Sequence, residues 1–359
     1  MRALRIVAGV LGILVIVLFV AVIGVLPGAF GGSGQDDDMV TTLGFVPYWD
    51  QDRAFEEVDR YADELSAVGP WWYAPTPDGA IVPQHAEYTD IDLERVRELQ
   101  GRGQRVMPAI ANHRDGSWDF DLIGELLSDP DAVTAHVEAL TDLVVDHDYD
   151  GIQLDYENLD ADDARRYADL VRRVAEAFAE HDKTLAVAVH AKLGPETDGW
   201  GAGHDYALLG RYADEIHLMA YDLHYNTSDP GPPAPAWWVD EVLDYATTEV
   251  PAEKVVLGIG LYGYDWPEGA RGEGLTLQEA EARVRRYDGE LTFDTRSQSP
   301  RFTYERDGQT HELWFEDGPS IARKLEFVET YGLGGAFFWR MGGTTPEAWD
   351  AVGEALELG

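Results

Sequence analysis

One run of alternating side chains governs how the chain can fold: Asp150-Gly151-Ile152-Gln153-Leu154-Asp155-Tyr156-Glu157. A period of two indicates a β-strand, which sends the polar residues Gln153, Asp155 and Glu157 to one face and the intervening apolar residues to the other. Ile and Leu suit the layer beneath the helices of a barrel, so we expect the polar face to point into the barrel interior. Polar groups at such positions are costly in a core unless they serve a site.

Beyond residue 40, short apolar runs alternate with longer segments of helical periodicity. This pattern is typical of parallel sheets with crossover helices, and eight such strands close a barrel. We therefore predict an α/β fold, a (β/α)8 TIM barrel spanning residues 41–359. The predicted strands are Leu43–Tyr48, Gly69–Tyr73, Val106–Ile110, Gly151–Tyr156, Leu185–His190, Glu215–Ala220, Val255–Leu261 and Gly335–Trp339.

A small α+β insertion is expected between the seventh and eighth strands, at about residues 270–314. Leu275–Tyr287 has helical periodicity, whereas Glu290–Phe293 and Arg301–Glu305 resemble strands. The insertion accounts for a domain longer than the ~250 residues of a typical barrel.

The N-terminal segment, residues 1–27, is predicted to be one transmembrane helix. The 21 residues from Ile6 to Leu26 carry no charged or polar side chain, and a helix of that length spans the hydrocarbon layer. Arg2 and Arg5 precede it, which places the C-terminal domain outside a cell membrane crossed once. A cleaved signal segment, which would release a secreted protein, is the alternative. Residues 28–40 are expected to form a flexible linker.

The composition excludes several classes of function. With 27 basic and 67 acidic residues, the net charge is −40, and such a field repels nucleic acids. The absence of cysteine excludes disulfides, thiolate nucleophiles and cysteine-ligated metals. A hydrophobic content of 45% is enough for a sizeable core, so the acidity indicates an acidic surface and not disorder.

Asp155 and Glu157 are the candidate reactive groups. Two carboxylates two residues apart on one strand face raise each other's pKa, which can keep the more desolvated one protonated near neutral pH. Glu157, at the end of the strand, is the candidate general acid, and Asp155 is its steering partner. The alternative is that both carboxylates simply lie along an exposed strand of a very acidic protein.

Several segments resemble one enzyme family. Asp150–Glu157 is similar to the signature Asp-Gly-x-Asp-x-Asp-x-Glu of glycoside hydrolase family 18, in which the last Glu is the proton donor. Met219–Asp222 resembles the family's sixth-strand motif, and Gly334–Trp339 resembles its eighth strand. Leu257–Trp266 and His311–Asp317 are similar to the spore-germination branch of peptidoglycan N-acetylglucosaminidases.

The resemblance implies substrate-assisted retaining catalysis on N-acetylglucosamine glycans, without metal or cofactor. Glu157 would protonate the glycosidic oxygen, Asp155 would orient the acetamido group of the sugar, and Tyr221 would hydrogen-bond that same group. Trp339 would form the hydrophobic floor. Gln153 departs from the family pattern, which has Asp there, and an amide cannot share a proton with Asp155.

Other residues near predicted strand ends are candidates for contact with the substrate, although packing explains them about as well. These are Gln153, Met219, Asp222, Tyr48 and Trp72, with Asn112 and His190 as further candidates.

Two principal functions remain open at the level of sequence. The first is a membrane-anchored exoplasmic hydrolase of β-1,4-linked N-acetylglucosamine polysaccharides, either peptidoglycan or chitin-type. The second is a catalytically weak or inactive carbohydrate-binding barrel. Retention of Asp155, Glu157 and Tyr221 favours the enzyme. A membrane assembly factor ranks last, because it leaves the predicted interior carboxylates unexplained.

Overall fold

The computed structural model describes residues 40–358 except 86, 88, 197 and 198. Its main strands, in chain order, are β1 Thr41–Pro47, β2 Ala67–Pro75, β3 in two pieces, Arg105–Val106 and Ala109–Ala111, β4 Gly151–Asp155, β5 Thr184–His190, β6 Glu215–Met219, β7 Val255–Gly260, β8 Tyr262–Pro267, β9 Glu273–Thr276, β10 Gly289–Asp294, β11 Ser299–Arg306, β12 Gln309–Phe315 and β13 Gly335–Trp339.

Ten α-helices lie in the described part of the chain. They are α1 Gln51–Arg60, α2 Leu93–Gly101, α3 Leu122–Ser128, α4 Pro130–Asp146, α5 Ala164–Ala179, α6 Tyr206–Tyr212, α7 Ala236–Glu249, α8 Leu277–Arg286, α9 Gly318–Tyr331 and α10 Pro346–Leu358.

The strands β1–β7 and β13 form a closed parallel barrel. Each pairs with its neighbour in parallel, and β1 closes the ring by pairing with both β2 and β13. Helices between successive strands cover the outside, as the alternation of strand and helix patterns predicts. The predicted (β/α)8 barrel is confirmed, and all eight predicted strands are present.

The strand β4 is buried on both faces, and this explains its composition. Ile152 and Leu154 are fully buried in the main hydrophobic core, and Gln153 and Asp155 are also buried. Asp150 holds the entry to the strand, because its Oδ2 accepts hydrogen bonds from Val106 N at 2.7 Å and Gln100 Nε2 at 3.0 Å.

The insertion is larger than the sequence predicts. It is a five-stranded antiparallel sheet in the order β9-β8-β12-β11-β10, with α8 as its helix, and begins at Tyr262 instead of about residue 270. The early start escapes prediction because β8 follows β7 after a single residue, Leu261, so the sequence shows one continuous apolar and aromatic run.

No helix among the described residues is both long and apolar enough to cross a membrane. The predicted span Ile6–Leu26 and nearly all of the predicted linker lie outside the described residues.

Candidate active site

The C-terminal ends of the barrel strands surround a pocket that contains the predicted interior carboxylate Asp155. The pocket encloses about 540 Å³ of space, part of it open to solvent. Polar groups on β4 and just beyond the end of β6 meet aromatic side chains from the other strand ends there. The lining residues are Phe45, Trp49, Trp71, His113, Trp118, Gln153, Asp155, Met219, Tyr221, Phe337 and Trp339.

Asp155 is buried and only partly satisfied. Trp71 Nε1–H donates to its Oδ2 at 2.9 Å, whereas its Oδ1 has no hydrogen-bond partner among the described residues. Burial raises the pKa of Asp155 above its ordinary value, and the Trp71 hydrogen bond lowers it by less. The carboxyl group therefore has one free acceptor oxygen at the pocket.

Glu157 lies two residues beyond the end of β4 and is held through its backbone. Asn112 Nδ2 donates to the Glu157 carbonyl oxygen at 3.1 Å, and the Glu157 N–H donates to Asn112 Oδ1 at 2.8 Å. Burial raises the pKa of Glu157 well above its ordinary value, and the negative charges of Asp155 and Asp222 raise it further. A carboxyl group in this environment retains its proton at pH values at which most glutamates are ionised.

His190 is a basic side chain close to Glu157, but it supplies no positive charge. Its Nε2 lies 3.5 Å from Glu157 Oε2. Burial, together with His204 and Lys192, lowers the pKa of His190 to about 3. His190 is therefore neutral over the physiological range, and Glu157 has no cationic partner in the part of the chain that the structure describes.

Tyr221 and Asp222 connect the site to the inserted sheet. Burial and the nearby carboxylates raise the pKa of Tyr221 well above its ordinary value, so its hydroxyl remains a proton donor. Asp222 Oδ1 accepts hydrogen bonds from Tyr262 at 2.6 Å and Tyr264 at 3.0 Å, both on β8. A Cβ at Gly258 would lie 2.9 Å from the Tyr221 ring, so the glycine leaves the room that the tyrosine needs.

Gln153 belongs to a buried polar chain below the pocket. Its Nε2 donates to His217 Nδ1 at 2.8 Å, and His217 Nε2–H donates to Glu215 Oε2 at 2.8 Å. Arg105 Nη1 in turn lies 3.1 Å from Glu215 Oε1. The amide is thus satisfied without a proton shared with Asp155.

The structure corrects one aromatic prediction and qualifies another. Trp72 does not line the pocket: it is fully buried on the outer face of β2, where its Nε1 donates to Gln51 Oε1 at 3.0 Å. Trp71 faces the pocket instead. The pairing of β2 with β3 is irregular between Trp71 and Tyr73, so strand alternation could not show which tryptophan points inward. Tyr48 is stacked on Trp71 with ring centroids 6.2 Å apart and is absent from the pocket lining.

Sequence reasoning also missed Trp49, Trp118 and the contribution of His113. Trp49 follows β1 and is 48% exposed, with its ring 5.5 Å from Trp71 and 6.3 Å from Trp339. Its only sequence signal is its place just after a predicted strand, where barrel sites are built.

Within the described ranges, no group of three His, Asp or Glu side chains is arranged to hold a metal ion.

Comparison with known proteins gives a consistent result. The model of the glycosyl hydrolases family 18 matches residues 45–343. A Bacillus subtilis (strain 168) protein named as a sporulation-specific glycosylase, YdhD, is 31% identical over 86% of this chain and 73% of its own length. The cortical fragment-lytic enzyme of the same organism is 27% identical over 72% of this chain and 62% of its own length.

A solved structure shows the same architecture. The chitinase of Chromobacterium violaceum superposes with a TM-score of 0.82 and 28% identity, over 89% of this chain and 99% of the chitinase. Its fold agrees with the barrel described above. The chain therefore belongs to family 18 of the glycosyl hydrolases and is a glycosidase related to enzymes named as chitinases and cortical fragment-lytic enzymes.

Proposed function

We propose that this protein hydrolyses β-1,4-linked N-acetylglucosamine glycans by substrate-assisted catalysis with retention of configuration. One observation carries the proposal: Asp155 and Glu157 are desolvated beside an aromatic pocket, and no arginine or lysine among the described residues forms an ion pair with either. Such an arrangement destabilises the ionised carboxylates, and it is found where a reaction needs a carboxyl group, here Glu157, that keeps its proton near neutral pH.

Each group has a role consistent with its position. Glu157, protonated because it is desolvated, donates its proton to the glycosidic oxygen while the acetamido oxygen of the substrate attacks the anomeric carbon and the glycosidic bond breaks. The Glu157 carboxylate then takes a proton from a water molecule, which attacks the anomeric carbon, displaces the acetamido oxygen and gives the product with net retention. The free Oδ1 of Asp155 accepts a hydrogen bond from the acetamido N–H and stabilises the cation that develops. Tyr221 donates to the acetamido oxygen, and Trp339 and Trp71 pack against the apolar face of the sugar.

The substrate is either peptidoglycan or a chitin-type polymer, and the relatives include enzymes named as cortical fragment-lytic enzymes and as chitinases. The net charge of −40 repels anionic wall polymers at low salt, and this repulsion is screened at high salt. We therefore expect cleavage of neutral N-acetylglucosamine oligomers to depend less on salt than cleavage of peptidoglycan.

The test is to incubate the purified protein with chitooligosaccharides and with peptidoglycan, at low and at molar salt. We expect products whose new reducing end is first formed as the β-anomer, detected by NMR. Glu157→Gln keeps the size and hydrogen-bonding capacity of the side chain but removes the acid, so turnover should fall about 10³-fold with glycan binding retained. Inverted products would contradict the mechanism, and binding without turnover in the wild type would favour a carbohydrate-binding barrel.

The apolar run Ile6–Leu26 supports a further part of the proposal, that the barrel is anchored to a membrane and faces outward. Fractionation of cells that express a C-terminally tagged chain should recover the tag in the membrane fraction, accessible to protease added outside intact cells. Recovery in the medium would indicate cleavage of the segment, and a protease-protected tag would contradict the orientation.

A further inference from the structure

An arginine lies at the edge of the pocket, on the side away from the proton donor. Arg340 directly follows Trp339 at the end of β13, and its Cζ lies 5.7 Å from the ring centroid of Trp49, which lines the pocket. The strand β13 pairs with β1 and β7, whereas Glu157 follows β4, on the far side of the eight-stranded ring. Arg340 therefore borders the part of the pocket that lies away from Glu157.

Arg340 shares its ionic partner with a second arginine. Asp50 Oδ2 lies 2.7 Å from Arg340 Nη1 and 2.5 Å from Arg53 Nη2. Arg53 Nε also donates to the same oxygen at 3.2 Å. One carboxylate thus serves two guanidinium groups, each of which carries a full positive charge.

Two further carboxylates, Glu57 and Glu279, act on the charge of Arg53, but both have other partners. Glu57 is buried, and its oxygens accept hydrogen bonds from the backbone N–H groups of residues 342–344. Glu279 accepts a hydrogen bond from the N–H of Thr276 at the start of α8. Neither forms an ion pair with either arginine in the part of the chain that the structure describes.

The guanidinium group of Arg340 has unused donors. All of its hydrogen bonds to described residues come from Nη1, which donates to Asp50 Oδ2 and to the carbonyl oxygens of Met341 and Gly342. Nε and Nη2 have no partner among those residues, and the side chain is 20% exposed. These two nitrogens form one edge of the guanidinium group, and such an edge binds a carboxylate through two parallel hydrogen bonds.

Only one of the two candidate substrates offers a carboxylate next to its sugar rings. Chitin-type polymers are neutral, whereas the acidic sugar of peptidoglycan carries at O3 a lactyl ether that ends in a carboxylate or in a peptide. A proton donor lies beside the leaving group. A sugar near Arg340, on the side away from Glu157, therefore belongs to the part of the substrate that does not leave.

We propose that Arg340 is a specificity residue whose Nε and Nη2 bind a carboxylate on the O3 ether of a sugar on the non-leaving side of the scissile bond. This inference rests on the proposed glycosidase function and names peptidoglycan with free lactyl carboxylates as the preferred substrate class. The unpaired edge of the guanidinium group gains its missing partner from the acidic sugar and gains none from a neutral polymer.

The test uses three β-1,4-linked disaccharide glycosides with N-acetylglucosamine as the inner sugar and methylumbelliferone as the common leaving group. At O3 the outer N-acetylated sugar carries a lactyl ether with a free carboxylate, the same ether as its carboxamide, or a plain hydroxyl. The carboxamide has nearly the shape of the acid without its charge. The ratio of kcat/KM on the acid to kcat/KM on the carboxamide therefore isolates recognition of the charge. We expect Arg340→Gln to lower this ratio about tenfold.

Two further variants separate direct recognition from disturbance of Asp50. Arg53→Gln is the matched control, because it also removes a guanidinium group from Asp50 and a hydrogen bond to the Gly342 carbonyl oxygen. Its ratio should equal that of the wild type. Arg340→Lys keeps the positive charge but loses the planar fork, so it should give an intermediate ratio and provides the test if Arg340→Gln does not fold.

The outcomes distinguish this inference from the proposed function. A wild-type ratio in Arg340→Gln, or an equal fall of the ratio in Arg340→Gln and Arg53→Gln, would overturn the specificity role while leaving the glycosidase proposal intact. A wild type inactive on all three glycosides and on peptidoglycan would overturn the glycosidase proposal, and the specificity role with it.

Discussion

The barrel mouth and the inserted sheet both bury an aspartate but surround it differently. In the inserted sheet, Asp265 is 1% exposed and accepts hydrogen bonds from His311 Nδ1 at 3.0 Å and Tyr304 OH at 2.5 Å, and it is also ion-paired with Arg283. At the barrel mouth, Asp155 is 7% exposed, accepts one hydrogen bond from Trp71, and leaves Oδ1 without a described partner.

Under the proposed function, the difference separates a structural carboxylate, Asp265, from a reactive one, Asp155. A buried charge is tolerated when a cation and hydrogen bonds replace its lost hydration, as around Asp265. Asp155 has only one such compensation, so the folded protein holds it at a cost that a bound substrate can relieve. Burial alone would have ranked the two aspartates alike, and the partners distinguish them.

The largest effect expected from this comparison concerns Asp155. Asp155→Asn should lower turnover about 10²- to 10³-fold, because an amide cannot stabilise the developing cation with a full negative charge. The free energy of unfolding at neutral pH should stay the same or rise. Since burial raises the folded pKa of Asp155, its ionised form destabilises the folded state above the unfolded pKa. A large loss of stability, measured by denaturant unfolding, would show that Asp155 is structural.

Asp265→Asn should have the opposite profile. Removal of the charge leaves Arg283 and His311 without their buried anion, and we expect a loss of about 3 kcal/mol in the free energy of unfolding. Glu281→Gln, which breaks the more exposed pair with Arg285 on α8, is the matched control and should cost no more than about 0.5 kcal/mol. Similar losses in the two variants would remove the distinction between compensated and surface charges.

The smallest effect tests the one hydrogen bond that Asp155 receives. Trp71→Phe keeps an aromatic ring but removes the Nε1–H donor, so the pKa of Asp155 should rise further. In the proposed mechanism Asp155 acts as an ionised carboxylate, so we expect activity to be lost as pH falls through its pKa. The acid limb of the kcat/KM profile should move to higher pH, with a loss of about fivefold near pH 5 and less above neutrality.

The control for this variant is Trp118→Phe, in the same pocket, because Trp118 donates no hydrogen bond to Asp155. Its profile should keep the wild-type shape. A loss in Trp71→Phe that is the same at every pH would indicate a steric role for Trp71 and not an electrostatic one.

Much of the barrel and the inward position of Asp155 could be predicted because local patterns encode them. The alternation in Asp150–Glu157 predicts one face for Gln153, Asp155 and Glu157. Gln153 and Asp155 both line the pocket, whereas Glu157 lies beyond the end of β4 and is not among the lining residues. The choice between Trp71 and Trp72 could not be predicted. Every residue of β2 is buried, so neither face differs in polarity, and an irregular pairing with β3 breaks the alternation.

The extent of the insertion could not be predicted from the sequence for a related reason. The strand β8 continues the apolar run of β7, and only its antiparallel pairing with β9 and β12 reveals that it has left the barrel. That pairing brings Tyr262 and Tyr264 to Asp222, about 40 residues away along the chain. Contacts over such separations leave no periodic trace in the sequence.

The sequence alone determines the order of strands and helices, the family motifs and the residues that can carry acid–base chemistry, because these depend on short-range alternation and on side-chain type. Only the tertiary structure decides which of two similar aspartates lacks cationic and hydrogen-bonding partners, and which tryptophan faces the pocket. It also places His190 beside Glu157 and keeps that histidine neutral. Those properties arise from desolvation and from neighbours distant in the chain, and neither exists until the barrel closes.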